Sequence, residues 1–460
     1  MLTRLEVDGF KNLSEVDVEF GPLTCIAGPN ASGKSNLLDA ISLLSLLADF
    51  PLDEAAARLR GSASAWGDPA ELFWTDGERR ARRIRLAAEM IVPARVRDDV
   101  GRLAEPAITF LRYAVELGLA PQAGGGHRLV LCSEELRHVR VSDASSHLRF
   151  PHRASAFRSA AVTGRRSGTA FISTELTPTP GGDAVPYVRV HQDGGTGAEP
   201  APTRADGAPR TILSTTTTSA LPTMLAARRE LQAWRRYSLD PATLRRPDPV
   251  AARAELAASG AGLAASLRRQ LRADGAETGG GVSARLSRLV EHAGVRVEVD
   301  PSRGVHTLQL REPGGHWLPS WALSDGTLRM IALAVLAGDR TGRGLICLEE
   351  PENGIHPARL DRVLSVLSGL AVDPSRAPGA DNPLQQVILT THSPSFVRLQ
   401  RDGDLLVARS DRGAGANTPR GLQLRPLAGT WRCGASDDGI PRARLVQLLA
   451  AHVGGQVGLL

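Results

Sequence analysis

Lysine is almost missing from this 460-residue chain: all but two of its 55 basic side chains are arginine, and the exceptions are Lys11 and Lys34. Net charge is only +6, so the arginine, alongside abundant alanine, glycine and proline, reads as a coding bias. That argues against a protein that coats nucleic acid by charge alone, and leaves a globular chain with a mildly basic face. Cysteine is scarce. Cys25, Cys132, Cys347 and Cys433 are too few and too scattered for a disulfide framework or a metal centre, and read as buried thiols in a reducing compartment. No apolar run reaches the length that crosses a bilayer, and the first residues, Met1 to Val7, lack an apolar signal core. The expectation is a soluble, cytoplasmic protein with no membrane partner. Sustained heptads and internal repeats are also missing, which excludes a long coiled-coil arm. The length allows one large core and a second lobe.

What is present is concentrated around Lys34. Gly28-Pro29-Asn30-Ala31-Ser32-Gly33-Lys34-Ser35 spells G-x-x-x-x-G-K-[ST]. Ahead of it Leu23–Ala27 reads as a short buried strand. Behind it Asn36 is followed by Leu37, Leu38, Ile41, Leu44 and Leu47 at helical spacing. A glycine-rich turn between strand and helix can wrap its N–H groups around a β-phosphate and present the positive end of the helix. Lys34 would then reach the β- and γ-phosphates, and the Ser35 hydroxyl would ligate Mg2+. The motif predicts nucleotide binding by residues 28–36.

Alternating apolar residues predict strands at Leu5–Val7, Val16–Phe20, Arg83–Ile91, Ile108–Leu117 and Arg128–Arg140. Between about Val141 and Pro222 the composition turns to Ser, Thr, Gly, Ala, Arg and Pro, which predicts an insertion of long loops or disorder. The run Gly194 to Gly207 is nearly devoid of large apolar residues. Helical spacing returns from Pro249 to about His292. Strands are expected at Val295–Val299 and Val305–Leu310, and a closing helix at Pro441–Val453.

A second group of motifs follows. Ser324-Asp325-Gly326-Thr327 precedes an apolar helical stripe and, taken alone, is a good helix cap. Leu345-Ile346-Cys347-Leu348 is an apolar strand running into Glu349-Glu350-Pro351-Glu352. Two adjacent carboxylates at a strand exit are costly unless something positive is near. Mg2+ would supply that charge, with Glu349 as its ligand and Glu350 as the base that orients and deprotonates a water. Last comes Gln386–Thr391, another apolar strand, then His392-Ser393-Pro394. Ser393 and Pro394 fit a helix start, and His392, at the strand's exit, is placed to sense a γ-phosphate.

In this order the set resembles the ABC-type ATPases, within them the soluble RecF/SMC/OLD-like branch. Gly9-Phe10-Lys11-Asn12-Leu13 is similar to the turn after the first strand in SMC and RecF proteins. Glu349–Pro357 and Thr391–Pro394 look most like stand-alone OLD/AbiEii-toxin-like ATPases of bacterial defence loci. The resemblance covers roughly residues 1–140 and 295–400. It implies an α/β P-loop NTPase, an ABC-type ATPase head with a mixed β-sheet. Residues 141–294 would be an inserted loop-rich and helical subdomain, and 401–460 a strand and helix extension. It further implies a head-to-tail homodimer sharing ATP and Mg2+, in which Lys34 and Ser35 of one protomer and Ser324 to Thr327 of the other grip one nucleotide.

The pattern is not followed throughout. Glu349 stands where aspartate is usual, and His356 stands where transporter ATPases carry aspartate, which argues against a transporter subunit. The sequence does not identify the glutamine that usually links the lobes, and Gln122, in a glycine-rich loop, is a poor fit for it. Lys11 reads equally as a ligand-contacting residue or a solvated turn lysine. Two readings stay open: a switch that controls a separate nuclease or toxin effector, and a RecF-like clamp on DNA. For the clamp, Arg137, Arg140, Arg149, Arg153, Arg158, Arg165 and Arg166 would line the phosphate-binding surface. A fused nuclease is disfavoured, because the stretch after Ser393 is short and Ser436–Gly439 lacks an upstream glutamate.

Overall fold

The computed structural model describes residues 1–59, 67–75, 79–122, 124–164, 170–178, 184–193, 200–274, 281–339, 344–410, 421–434 and 439–457. Two large sheets organise it. A six-stranded sheet runs in the order Arg235–Tyr237, Leu345–Glu349, Gln386–Thr391, Leu23–Ala27, Leu405–Ser410, Leu422–Pro426. Its first five strands are parallel and the last antiparallel. Period-two alternation feeds two cores. Leu345, Cys347, Ile388 and Ile26 face one, while Ile346, Leu348, Val387, Leu389 and Cys25 face the other. Such a sheet must be covered on both sides, which is why these strands read as unbroken apolar runs.

The helix Lys34–Leu47 fills the first core, between this sheet and an eight-stranded antiparallel sheet. The order of that second sheet is Thr203–Arg204, Ala184–Val190, Ile172–Pro178, His127–His138, Phe110–Pro121, Arg83–Ile91, Leu2–Asp8, Val16–Glu19. Helices Leu263–Asp274, Val282–Leu289, Asp325–Ala337 and Leu360–Leu370 cover the other face. A small sheet of Asp248–Pro249, Val305–Arg311 and Gly294–Asp300, with Trp317–Pro319 on its flank, packs beside them.

The sheets are tied where they meet. Gln386 is fully buried; its amide oxygen accepts from Leu2 N at 2.9 Å, and its nitrogen donates to Leu2 O at 2.7 Å and Gly21 O at 2.8 Å. A buried amide with all these bonds made avoids the cost of an unpaired polar group and fixes the register of the first strand. The Met1 ammonium is equally buried, donating to Ile91 O at 2.7 Å and pairing with Glu230.

Several expectations need correction. Residues 141–222 are not loops throughout: Ile172–Pro178 and Ala184–Val190 extend the antiparallel sheet. Part of the poorly apolar run, 194–199, and with it Arg165, Arg166 and residues 435–438, lies outside the described residues. Helix begins at Leu263 rather than Pro249. Gly260 and Gly262 hold positive φ there, and Leu256 is buried from a segment outside any helix or strand. The closing helix runs Arg442–Val457 and buries Leu445 and Leu449. Cys25 and Cys347 are buried strand thiols, while Cys132 and Cys433 are part-exposed; all four are free. Among the described residues no helix is long and apolar enough to cross a membrane.

Candidate nucleotide site

The loop 28–35 leaves the edge of the strand Leu23–Ala27 and enters the helix Lys34–Leu47 as the sequence requires. Its glycines answer to geometry. A Cβ on Gly28 would lie 2.4 Å from the carbonyl oxygen of Ala408 on the neighbouring strand, and Gly33 turns the chain at φ 100. Ala31 also adopts positive φ, at 60. Lys34 is largely buried and donates to Gly28 O and Pro29 O, both at 2.7 Å. Burial pulls its ammonium below the ordinary lysine value, and the charges of Glu350, Glu352 and Glu349 work against that. Asn36 donates to Asn12 at 2.7 Å, so the turn after the first strand is bound to the loop.

A cavity of about 570 Å3 opens here, lined by Asn12, residues 30–36, Glu349, Glu350 and Thr390. The structure therefore brings the phosphate loop and the acidic strand end to one site. The Ser32 hydroxyl, buried in the loop, has no hydrogen-bond partner among the described residues. An orphaned donor of this kind, with a helix N-terminus and Lys34 beside it, fits a phosphate. Ser35 and Glu349 offer hard oxygen donors to the same cavity, a set that suits Mg2+ once phosphates complete its shell. Among the described residues no group of three or more His, Cys, Asp or Glu could hold a metal alone.

Glu350 has φ 44, a left-handed backbone that a glutamate rarely adopts. Strain of this order, roughly 1–3 kcal/mol, persists where surrounding contacts impose it. Here the Glu350 N–H donates to Thr390 O at 3.1 Å, and the side chain is held at both oxygens. His392 Nδ1 lies 2.8 Å from Oε1, and Asn353 Nδ2 donates to Oε2 at 2.6 Å. Glu352 turns the other way, into the protein. Its Oε1 accepts from Thr391, its Oε2 is buried without a partner among the described residues, and burial pushes its carboxyl up to about 7.

The helix Asp325–Ala337 begins at a Ser324 cap, whose hydroxyl accepts from Thr327 N at 3.2 Å. Asp325 pairs with Arg245. None of Ser324, Asp325, Gly326 and Thr327 lines the cavity of their own chain. They reach it indirectly, because Arg329 of this helix donates to the Asn353 carbonyl, and Gly326 packs on the carbonyl of Gly354.

Sequence reasoning missed a chain of alternating charge behind the cavity. Lys11 Nζ lies 2.5 Å from the fully buried Asp39, Asp39 also pairs with Arg236, and Arg236 pairs with Glu349. Burial disfavours the Arg236 charge, and Glu349 and Asp39 outweigh that, holding the guanidinium above its ordinary value. So the positive group beside Glu349 is here an arginine. Lys11 is not a solvated turn residue but a partner of Asp39. Arg236 sits on the strand paired directly to the acidic strand, where Gln122 does not: Gln122 follows the strand Phe110–Pro121 and lines a separate cavity of about 710 Å3 with Asp53 and His127. Of the arginines proposed to line a DNA surface, Arg137 is paired with Glu135 and Arg149 with Glu19. An acid on an otherwise apolar helix face, Asp39, was the one available signal.

Comparison with known proteins gives partial matches. Residues 188–398 match a family model described as "AAA domain, putative AbiEii toxin, Type IV TA system", and residues 4–51 match another described as "AAA domain". The chain is similar to the DNA replication and repair protein RecF of Magnetococcus marinus, 47% identical over 66 residues, which are 14% of this chain and 17% of the relative. It is 50% identical to the OLD nuclease of Thermus scotoductus over 44 residues, 10% of this chain and 8% of the relative. The matches thus span less than a quarter of either relative. Among solved structures, an SMC head bound to the C-winged helix domain of ScpA aligns with TM-score 0.46 at 13% identity, covering 93% of this chain and 98% of that one. The SMC head of Thermotoga maritima aligns with TM-score 0.39 at 14% identity, covering 92% and 98%. A phosphate loop, a Ser-capped helix, an acidic strand and a histidine strand, in this order and on this parallel sheet, go with these matches, and together they support an ABC-type ATPase of the RecF/SMC/OLD branch.

Proposed function

We propose that the protein is a Mg2+-dependent ATPase that works as an ATP-gated homodimeric switch. The observation that carries this is Glu350, strained at φ 44 and held between His392 and Asn353 on the wall of the phosphate-loop cavity. A carboxylate so fixed can accept a proton from an attacking water without spending time in unproductive rotamers. His392 orients that carboxylate and stands on the strand exit beside the cavity, where it can respond to a γ-phosphate. Lys34, now closed on the loop carbonyls of Gly28 and Pro29, would exchange those acceptors for phosphate oxygens. The loop N–H groups and the Ser32 hydroxyl would take the rest. Ser35 and Glu349 would hold Mg2+, which supplies charge neutralisation across the phosphates.

Dimerisation follows from where the signature residues lie. Ser324 and Thr327 sit outside their own cavity, at the exposed start of a helix whose positive end suits a phosphate. In a head-to-tail pair each would complete the partner's site. The similarity to an OLD nuclease and to a toxin-described AAA model supports control of a separately encoded nuclease or toxin as the output. Light scattering of Glu350→Gln with and without Mg-ATP tests the switch. The mass should double with ATP; an unchanged mass with ATP bound would rule it out. Repeating it with duplex and single-stranded DNA separates the switch from a DNA clamp, which would need DNA for the change.

A further inference from the structure

We propose that Arg236 is a positioning residue that competes with a divalent cation for Glu349 and gives it up when the cation binds. The inference rests on the reading of Glu349 as a metal ligand. Arg236 comes from the three-residue strand Arg235–Tyr237, parallel to the acidic strand, with Arg236 opposite Cys347. From there its guanidinium reaches two carboxylates at once: Asp39, fully buried on the phosphate-loop helix, and Glu349, still 21% exposed to the cavity. The two are not equivalent. Asp39 has no route to solvent and keeps Lys11 at 2.5 Å as well. A carboxylate buried to that degree must remain paired, and removing its partners is strongly destabilising. Glu349, by contrast, opens onto the cavity shared with Ser35.

A cation arriving between Ser35 and Glu349 meets the Arg236 charge at contact range of the same carboxylate. Both cannot hold that oxygen. The divalent ion carries the larger charge and needs anionic oxygen, so Arg236 withdraws onto Asp39, which it already contacts. The free energy of splitting the Arg236–Glu349 pair is subtracted from metal affinity. In exchange, Glu349 is preoriented and neutralised before nucleotide arrives, and metal binding is signalled to the strand Arg235–Tyr237. Beyond that strand lie Leu239, whose carbonyl accepts from Arg329 of the signature helix, and Arg245, the partner of Asp325. Arg236 therefore stands between the metal site and the helix that would read the partner's nucleotide.

The experiment compares ATP affinity in excess EDTA and in excess Mg2+, in a Glu350→Gln background where turnover does not interfere. The ratio of the two dissociation constants reports the metal's contribution to binding. Glu349→Gln should lower the ratio. Arg236→Met should raise it by about fivefold or more, because a competing charge a few ångströms from the carboxylate is gone; Arg236→Lys, which keeps the charge, should stay within about twofold of the parent. Should Arg236→Met fail to fold, Asp39→Asn combined with Arg236→Met removes the buried charge with its partner and carries the same expectation. A ratio that stays or falls in Arg236→Met, while Glu349→Gln lowers it, overturns the competition and leaves the metal-ligand reading standing. A ratio indifferent to Glu349→Gln overturns both.

Discussion

A single methyl group at Gly326 probes whether the helix Asp325–Ala337 is mechanically joined to Glu350, the proposed base. A Cβ built there falls 2.3 Å from the carbonyl oxygen of Gly354, 3.1 Å from its carbonyl carbon and 3.3 Å from Ile355 Cα. Carbon and oxygen approach to about 3.3 Å at closest in ordinary contacts, so helix and turn must part by roughly 1 Å. Every atom in the way is backbone, and no side chain can rotate to absorb the overlap. Overpacking of this kind costs about 1–3 kcal/mol. For a chain of this length the unfolding entropy is about 1 kcal/mol per degree, so Gly326→Ala should lower the melting temperature by only about 1–3 °C. Its effect on hydrolysis should be larger. Opening the contact pulls Arg329 from the Asn353 carbonyl, and Asn353 is the residue that fixes Glu350 Oε2 at 2.6 Å. A misplacement of that size at a catalytic base costs on the order of 100-fold in rate. Thermal melting and steady-state ATP hydrolysis on the same preparation check both parts. Wild-type hydrolysis with a lowered melting temperature would refute the coupling, and an unchanged melting temperature would refute the packing.

Other consequences can be measured separately. Ser324→Arg and Lys34→Ala should each be inactive alone, and mixing them in equal amounts should restore about a quarter of wild-type activity, one intact site in half of the dimers, if the site is shared between protomers; no recovery, with mixed dimers shown to form, would contradict sharing. Glu352, raised by burial from the usual glutamate value to about 7, binds its proton more tightly folded than unfolded. Its contribution is therefore fully present below about pH 4.5 and is lost as pH rises through about 7, an effect on the order of 3 kcal/mol. Glu352→Gln should remove that dependence, so denaturant melts at pH 5 and pH 8 should show the variant gaining on the wild type at the higher pH; parallel curves would contradict the assignment. His392→Ala should lower the hydrolysis rate about 10- to 1,000-fold with ATP affinity nearly kept, as expected when the group that orients a base is lost. Equal loss in binding and turnover would place His392 on the nucleotide instead.

The residues that could be read from the sequence are those whose chemistry is contiguous. The phosphate loop spans eight neighbouring residues between an apolar strand and a helical stripe, and the Ser324 cap and the Glu349-Glu350 pair are each a few residues long. What escaped was built by topology. Arg236 lies on a strand of three residues, too short for any alternation to show, and meets Glu349 across 113 positions and Asp39 across 197. The strand Ile172–Pro178 was hidden for a different reason: it lies towards the outer end of its sheet, and Leu176, the one large apolar residue after Ile172, is 70% exposed. With one residue of seven buried, polar composition imitates a loop. Asn353 and Arg329 carry no motif of their own, because a backbone carbonyl is the link between them.

The most direct test of the account is the fate of bound ATP in Glu350→Gln. Equilibrium binding and single-turnover hydrolysis of Mg-ATP, measured beside the wild type and Lys34→Ala, should show binding retained and hydrolysis slowed by about 100- to 10,000-fold, with Lys34→Ala losing binding or turnover. Hydrolysis by Glu350→Gln at the wild-type rate would contradict the assignment of Glu350 as the base and with it the mechanism built on its strained, doubly held carboxylate.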